Sequence, residues 1–200
     1  MNKTRIFSLI LILVMLLSCK TTNTYQSSNF VKNDRYSGLP INEQLFKSVK
    51  YNDIENIRYF LKNGADINAL DFWGQSPLMR SVTESNFKTS LALIELGSDV
   101  NEKGDNGLTA LMWASMFDKS DEIILLISNE ADINISNDIG NTALMIAVDK
   151  NNYNVVKILL EKEADMEVVN RFGDTAINIA QRKNKKDIYN LLLEKKGNNN

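Results

Sequence analysis

Apolar residues along this chain fall into short amphipathic blocks separated by polar punctuation. In NYNVVKILLEK, Val155, Val156, Ile158, Leu159 and Leu160 have helical spacing. Just upstream, GNTALMIAV (Gly140 to Val148) sets Leu144 and Val148 four residues apart, on one face of a second helix. Nearly the same string, GLTALMWAS, stands at Gly107 to Ser115, 33 residues earlier. The chain therefore repeats a helix-pair pattern.

The register holds throughout. Gly74, Gly107, Gly140 and Gly173 share one column, and Ser76, Thr109, Thr142 and Thr175 follow two residues later. Leu78, Leu111, Leu144 and Ile177 come next, and Asp66, Asp99, Asp132 and Asp165 mark the ends of units. Each hydroxyl is a good N-cap, and Pro77 suits the first helical position, where its missing N–H is not needed. The pairs Leu78 and Val82, Leu111 and Ser115, Leu144 and Val148, and Ile177 and Gln181 are predicted to face inward. Ala114, Ala147 and Ala180 permit close helix packing. Asn52, Ser85, Asp118, Asn151 and Asn184 fall between paired helices, where a left-handed residue is often needed. A lone helix pair cannot bury its apolar face, so neighbouring units complete the core. The units are 38–70, 71–103, 104–136, 137–169 and 170–200. LPINEQLFKSV and the Lys- and Asn-rich last unit suit polar caps, with a frayed GNNN tail.

A 33-residue period with G-x-[ST]-[PA]-L and A-D-I-N resembles the ankyrin repeat. The resemblance covers roughly residues 39–197. It implies an all-α solenoid of about five helix-turn-helix units with projecting hairpin loops, and protein binding on the concave face. Two departures stand out. Met79, Met112, Met145 and Asn178 occupy the column where the family usually has His, so a polar network near the helix start is expected to give way to apolar packing. Glu130 and Glu163 replace the Gly of Gly64 and Gly97, so those turns are either strained or altered. Thr89 and Ser90 stand where other units are mostly apolar, which predicts that the second unit is the loosest.

The N-terminus has a different pattern. Lys3 and Arg5 precede an apolar run, Ile6 to Leu17, that is too short for a membrane span of about 20 residues and fits a signal peptide. Leu16-Leu17-Ser18-Cys19 resembles the bacterial lipobox. That resemblance implies cleavage after Ser18 and acylation of Cys19, the chain's one cysteine, which would anchor the protein to a membrane of the bacterial cell envelope, periplasmic or surface-facing. An ordinary signal peptide with an incidental cysteine is the alternative. Residues 1–18 are the signal peptide in this reading, and 19–38, rich in Ser, Thr and Asn, a flexible tether.

Composition narrows the chemistry. There is no histidine, which excludes Ser-His-Asp catalysis and His-ligated zinc within this chain. One cysteine excludes an internal disulfide. A net charge of −2 gives no reason to expect nucleic acid. No catalytic residue, cofactor or metal is expected, and the chain reads as a monomer with an unidentified protein partner. An immunity or inhibitor protein is the second reading, and a hydrolase on a repeat scaffold the third.

Carried over from the family, the partner-binding surface is made of fingertips and exposed ends of first helices. Its candidates are Tyr51, Leu70, Phe72, Trp73, Glu84, Asp105, Asn106, Leu108, Met116, Phe117, Asp138, Ile139, Asp149, Lys150, Arg171 and Phe172. Aromatic residues gather in the first three units, as at interface hot spots. Phe72 and Phe172 could equally stiffen neighbouring fingers. Trp73 shares its column with Asn106, Ile139 and Phe172, so the fold does not demand an aromatic there. Trp113, inside a first helix, is assigned to packing. Asp105, Asp138 and Asp174 sit on separate fingers and read as a solvated face.

Overall fold

A computed structural model describes residues 35–198. The signal peptide, Cys19 and nearly all of the tether lie outside those residues. The described part contains ten α-helices and no strand. In chain order they are α1 (Ile41–Lys50), α2 (Ile54–Lys62), α3 (Pro77–Thr83), α4 (Phe87–Glu95), α5 (Ala110–Met116), α6 (Ser120–Ser128), α7 (Ala143–Lys150), α8 (Tyr153–Glu161), α9 (Ala176–Arg182) and α10 (Lys186–Asn198). A 3-10 turn, Asp105–Gly107, precedes α5. The odd-numbered helices pack on one another in order, and each even-numbered helix packs on its partner. From α4 onward the even-numbered helices form a second layer.

Each odd helix after α1 starts at its hydroxyl. Ser76, Thr109, Thr142 and Thr175 accept the N–H three residues on, at 3.3–3.4 Å. Leu78, Leu111, Leu144 and Val148 are fully or almost fully buried, and so is Ser115. The last inward pair departs from expectation: Ile177 is half-buried and Gln181 is exposed, because no later odd-numbered helix among the described residues packs on α9. Met79, Met112 and Met145 fill the core as expected. At Asn178 the polar network survives: its Oδ1 accepts from the Thr175 N–H at 2.9 Å and from the Thr175 hydroxyl at 2.8 Å. α10 continues through Gly197, beyond the point where the GNNN tail predicts fraying.

The turns follow the chain's punctuation. Asn52, Ser85, Asp118, Asn151 and Asn184 all have positive φ. Glu130 (φ 69°) and Glu163 (φ 63°) also keep the left-handed turn that Gly64 and Gly97 make. Thr89 and Ser90 are buried but satisfied: Thr89 donates to Asn52 Oδ1, and the Ser90 and Ser81 hydroxyls pair at 2.8 Å. The second unit thus holds a hydrogen-bonded polar seam where other units are mostly apolar. Tyr36, within the stretch read as tether, belongs to the fold. Its ring is buried edge-on to Phe60 at 5.4 Å, and its hydroxyl donates to Asp53 at 2.9 Å.

Polar ladders join the units. The Asn68, Asn101 and Asn134 amide oxygens accept the N–H of Asp99, Asp132 and Asp165 in the next unit, at 2.8–3.0 Å. Each Asp in turn accepts the N–H two residues on. Asn42 starts the series by accepting the Asp66 N–H, and a Glu167–Lys196 ion pair ends it. These Asp residues are turn-forming, as their periodicity predicts. The cross-unit bond of the Asn column is not foreseen from sequence.

Candidate functional site: the fingers and first helices

Four fingers precede α3, α5, α7 and α9. In each, the column glycine donates its N–H to the carbonyl three residues back, at 2.9–3.1 Å, so the two intervening residues form the tip. These tips are Phe72–Trp73, Asp105–Asn106, Asp138–Ile139 and Arg171–Phe172. Side-chain oxygens of Asp71, Asn137 and Asn170 close three fingers from inside by accepting two backbone N–H groups each. The second finger has Gly104 at that position. A Cβ there would collide with the carbonyl oxygen of Gly74, so this finger lies directly against the one before it. Backbone bonds tie the row together: Asp105 N–H to Gly74 O, Asp138 N–H to Asn106 O and Arg171 N–H to Ile139 O, at 2.9–3.0 Å.

The tips expose large apolar surface. Phe72 is 91% exposed, Phe172 73% and Trp73 61%. Phe72 and Trp73 meet edge to face at 5.8 Å. The Arg80 guanidinium lies 4.8 Å above the Trp73 ring and is itself held by Gln75, Asp71 and Glu84. Such a cation–π contact contributes about 0.5–1 kcal/mol at an exposed site. Its further consequence is order, since an anchor already fixed loses less entropy on binding.

Other sequence candidates divide into exposed and engaged groups. Tyr51, Leu70, Ile139 and Phe117 are exposed. Asp105, Asn106, Asp138, Lys150 and Arg171 are also exposed. Leu108 and Met116 are half-buried and pack against the core, so they offer edges only. Glu84 is tied to Arg80, and Asp149 pairs with Lys183 at 2.9 Å. Trp113 is half-buried, as its packing role predicts, and its ring lies parallel to Phe117 at 5.8 Å. One face of Phe117 is therefore occupied. Arg80 is a residue that sequence reasoning missed. The only signal was its sharing a column with Trp113 and Ile146.

Among the described residues no group of three His, Cys, Asp or Glu could hold a metal ion. No helix among them is long and apolar enough to cross a membrane.

Paired helices stacked in register, with a row of hydrogen-bonded fingers along one edge, define a helical-repeat scaffold. The sequence matches the family model for ankyrin repeats in three overlapping copies, over residues 45–137, 92–170 and 117–200, and the chain belongs to that family. Its repeats support a protein–protein interaction module, and such proteins are in general non-catalytic scaffolds. No curated relative matches the chain.

Proposed function

We propose that this protein binds a partner protein through the face made by its fingers and first helices, with Phe72, Trp73 and Phe117 as anchors. The observation that carries the reading is the Phe72–Trp73 pair, exposed at a fingertip yet braced by Arg80. Nothing in the fold requires rings there, because the equivalent tips carry Asp105–Asn106 and Asp138–Ile139. In this reading the chain is a bacterial lipoprotein whose acylated Cys19 confines the complex to an envelope membrane. Support for that part is the apolar run ending in LLSC.

The binding reading is tested by capture from envelope extract on the full chain in mild detergent. Trp73→Ala and Phe117→Ala should each lose the captured partner, and unchanged capture by both variants would refute the face. Fractionation tests the anchor separately. Cys19→Ser should move the protein from the membrane to the soluble fraction.

A further inference from the structure

Charge is unevenly spread along the stack. Residues 71–169 carry 17 Asp and Glu against 7 Lys and Arg, a net of −10, whereas residues 170–200 carry 3 against 7, a net of +4. Several cations of the acidic stretch are already engaged. Arg80 bridges Asp71 and Glu84, Lys103 donates to the Ser136 carbonyl, and Lys119 donates to the Ser85 hydroxyl. Asp105 and Asp138 head the second and third fingers, are exposed, and join no ion pair among the described residues. The Asp105 side chain rests against Gly74, next to Trp73 in the chain. The Asp138 carboxylate lies against Gly107 in the same way. An aromatic pair and two unpaired carboxylates thus follow one another across three contiguous fingertips.

We propose that the segment docking on these fingers is basic: an extended stretch of a partner protein that covers Phe72 and Trp73 with an apolar side chain and sets Lys or Arg against Asp105 and Asp138. The proposal rests on the finger face being the binding face. A neutral or acidic segment lying on Trp73 would take the neighbouring Asp105 carboxylate out of water without a counter-charge, which is costly. A basic segment is instead attracted by the acidic units and selected by the two tips. Arg80 covers one face of Trp73, so the second cation is directed to the carboxylates and not to that ring face.

The test is a selection of phage-displayed random twelve-residue peptides on the full chain in mild detergent. Selected peptides should combine Lys or Arg with an aromatic or aliphatic residue. Binding of a synthetic copy should weaken about tenfold with Trp73→Ala and again with the double variant Asp105→Asn, Asp138→Asn. It should hold with Glu95→Gln, Glu161→Gln, which removes equal charge from exposed ends of α4 and α8. Neutral or acidic peptides that still depend on Trp73 would overturn the basic partner and keep the face. Basic peptides indifferent to Trp73→Ala, and weakened equally by both double variants, would overturn both readings. Failure to enrich any peptide above a blank surface would overturn the proposal and leave the face to the capture experiment.

Discussion

Ser98 Oγ, Ser115 Oγ and Trp113 Nε1 are buried without a hydrogen-bond partner among the described residues. A stranded hydroxyl is destabilising by about 1–3 kcal/mol. Ser98 shares its column with Ala65, Ala131 and Ala164, so Ser98→Ala should raise stability by about 1 kcal/mol. Ser115 shares its column with Val82 and Val148, and Ser115→Val both removes the hydroxyl and adds buried carbon, for about 1–2 kcal/mol. Urea unfolding should show a higher midpoint with an unchanged slope. A lower midpoint for Ser98→Ala would mean that water satisfies the hydroxyl. Which of these serines is stranded was not legible in the sequence. Ser90 and Thr89 look equally out of place in their columns, yet Ser81 and Asn52 satisfy them. Column position reveals burial, but a partner on another helix is a matter of distance, which column position alone does not carry.

At the scale of single elements, the turns and fingers show how far the repeat pattern carries. Glu130 and Glu163 keep a geometry suited to glycine, and both are exposed, so no buried side-chain packing offsets the backbone strain. Left-handed backbone is unfavourable for an L-residue by roughly 1–2 kcal/mol, partly offset here by glycine's greater freedom when unfolded. Glu163→Gly should therefore stabilise by about 0.5–1 kcal/mol, read as a rise in melting temperature. The second finger is the converse case. Its GDNG string looks like loose punctuation, but Gly104 is where two fingers touch backbone to backbone. Gly104→Ala should destabilise by about 1–3 kcal/mol and push the first finger aside. In a Trp113→Phe background, the emission of Trp73 reports that displacement, and an unchanged spectrum would show that the fingers part without strain. Helix starts, inward faces and left-handed turns were legible because each depends on residues close in the chain. The Asn ladder, the Arg80 brace and the Gly104 contact join residues from different turns or units, and a single unit's pattern does not contain them.

On the scale of the whole molecule, local bonds and long-range charge act in opposite directions. Asn-to-backbone bonds join the first four units in turn, the Glu167–Lys196 pair joins the last, and a continuous apolar core runs through them, so stability depends on nearest neighbours. Against this, the net of −10 over residues 71–169 repels itself along the same stack. The third unit holds six acidic residues and one basic residue, Lys119, between two other acidic units. Few ion pairs oppose the effect, and those between exposed side chains, such as Lys196 with Glu167, contribute little. Screening therefore helps more than it harms. Raising ionic strength from 0.01 to 0.15 M shortens the screening length from about 30 to about 8 Å, less than the spacing of about 10 Å between stacked helices. Repulsion between units then fades while the bonds joining them persist. The melting temperature should rise by about 2–4 °C, the shift that 1 kcal/mol produces in a domain of this size. Neutralising Asp121 and Glu130 by Asp121→Asn and Glu130→Gln should give much of that rise at low salt and leave less for added salt to do. A melting temperature that fell with salt would mean that attraction between the acidic units and the basic last unit outweighs repulsion within them. The same experiment thus weighs the two halves of the charge distribution against each other.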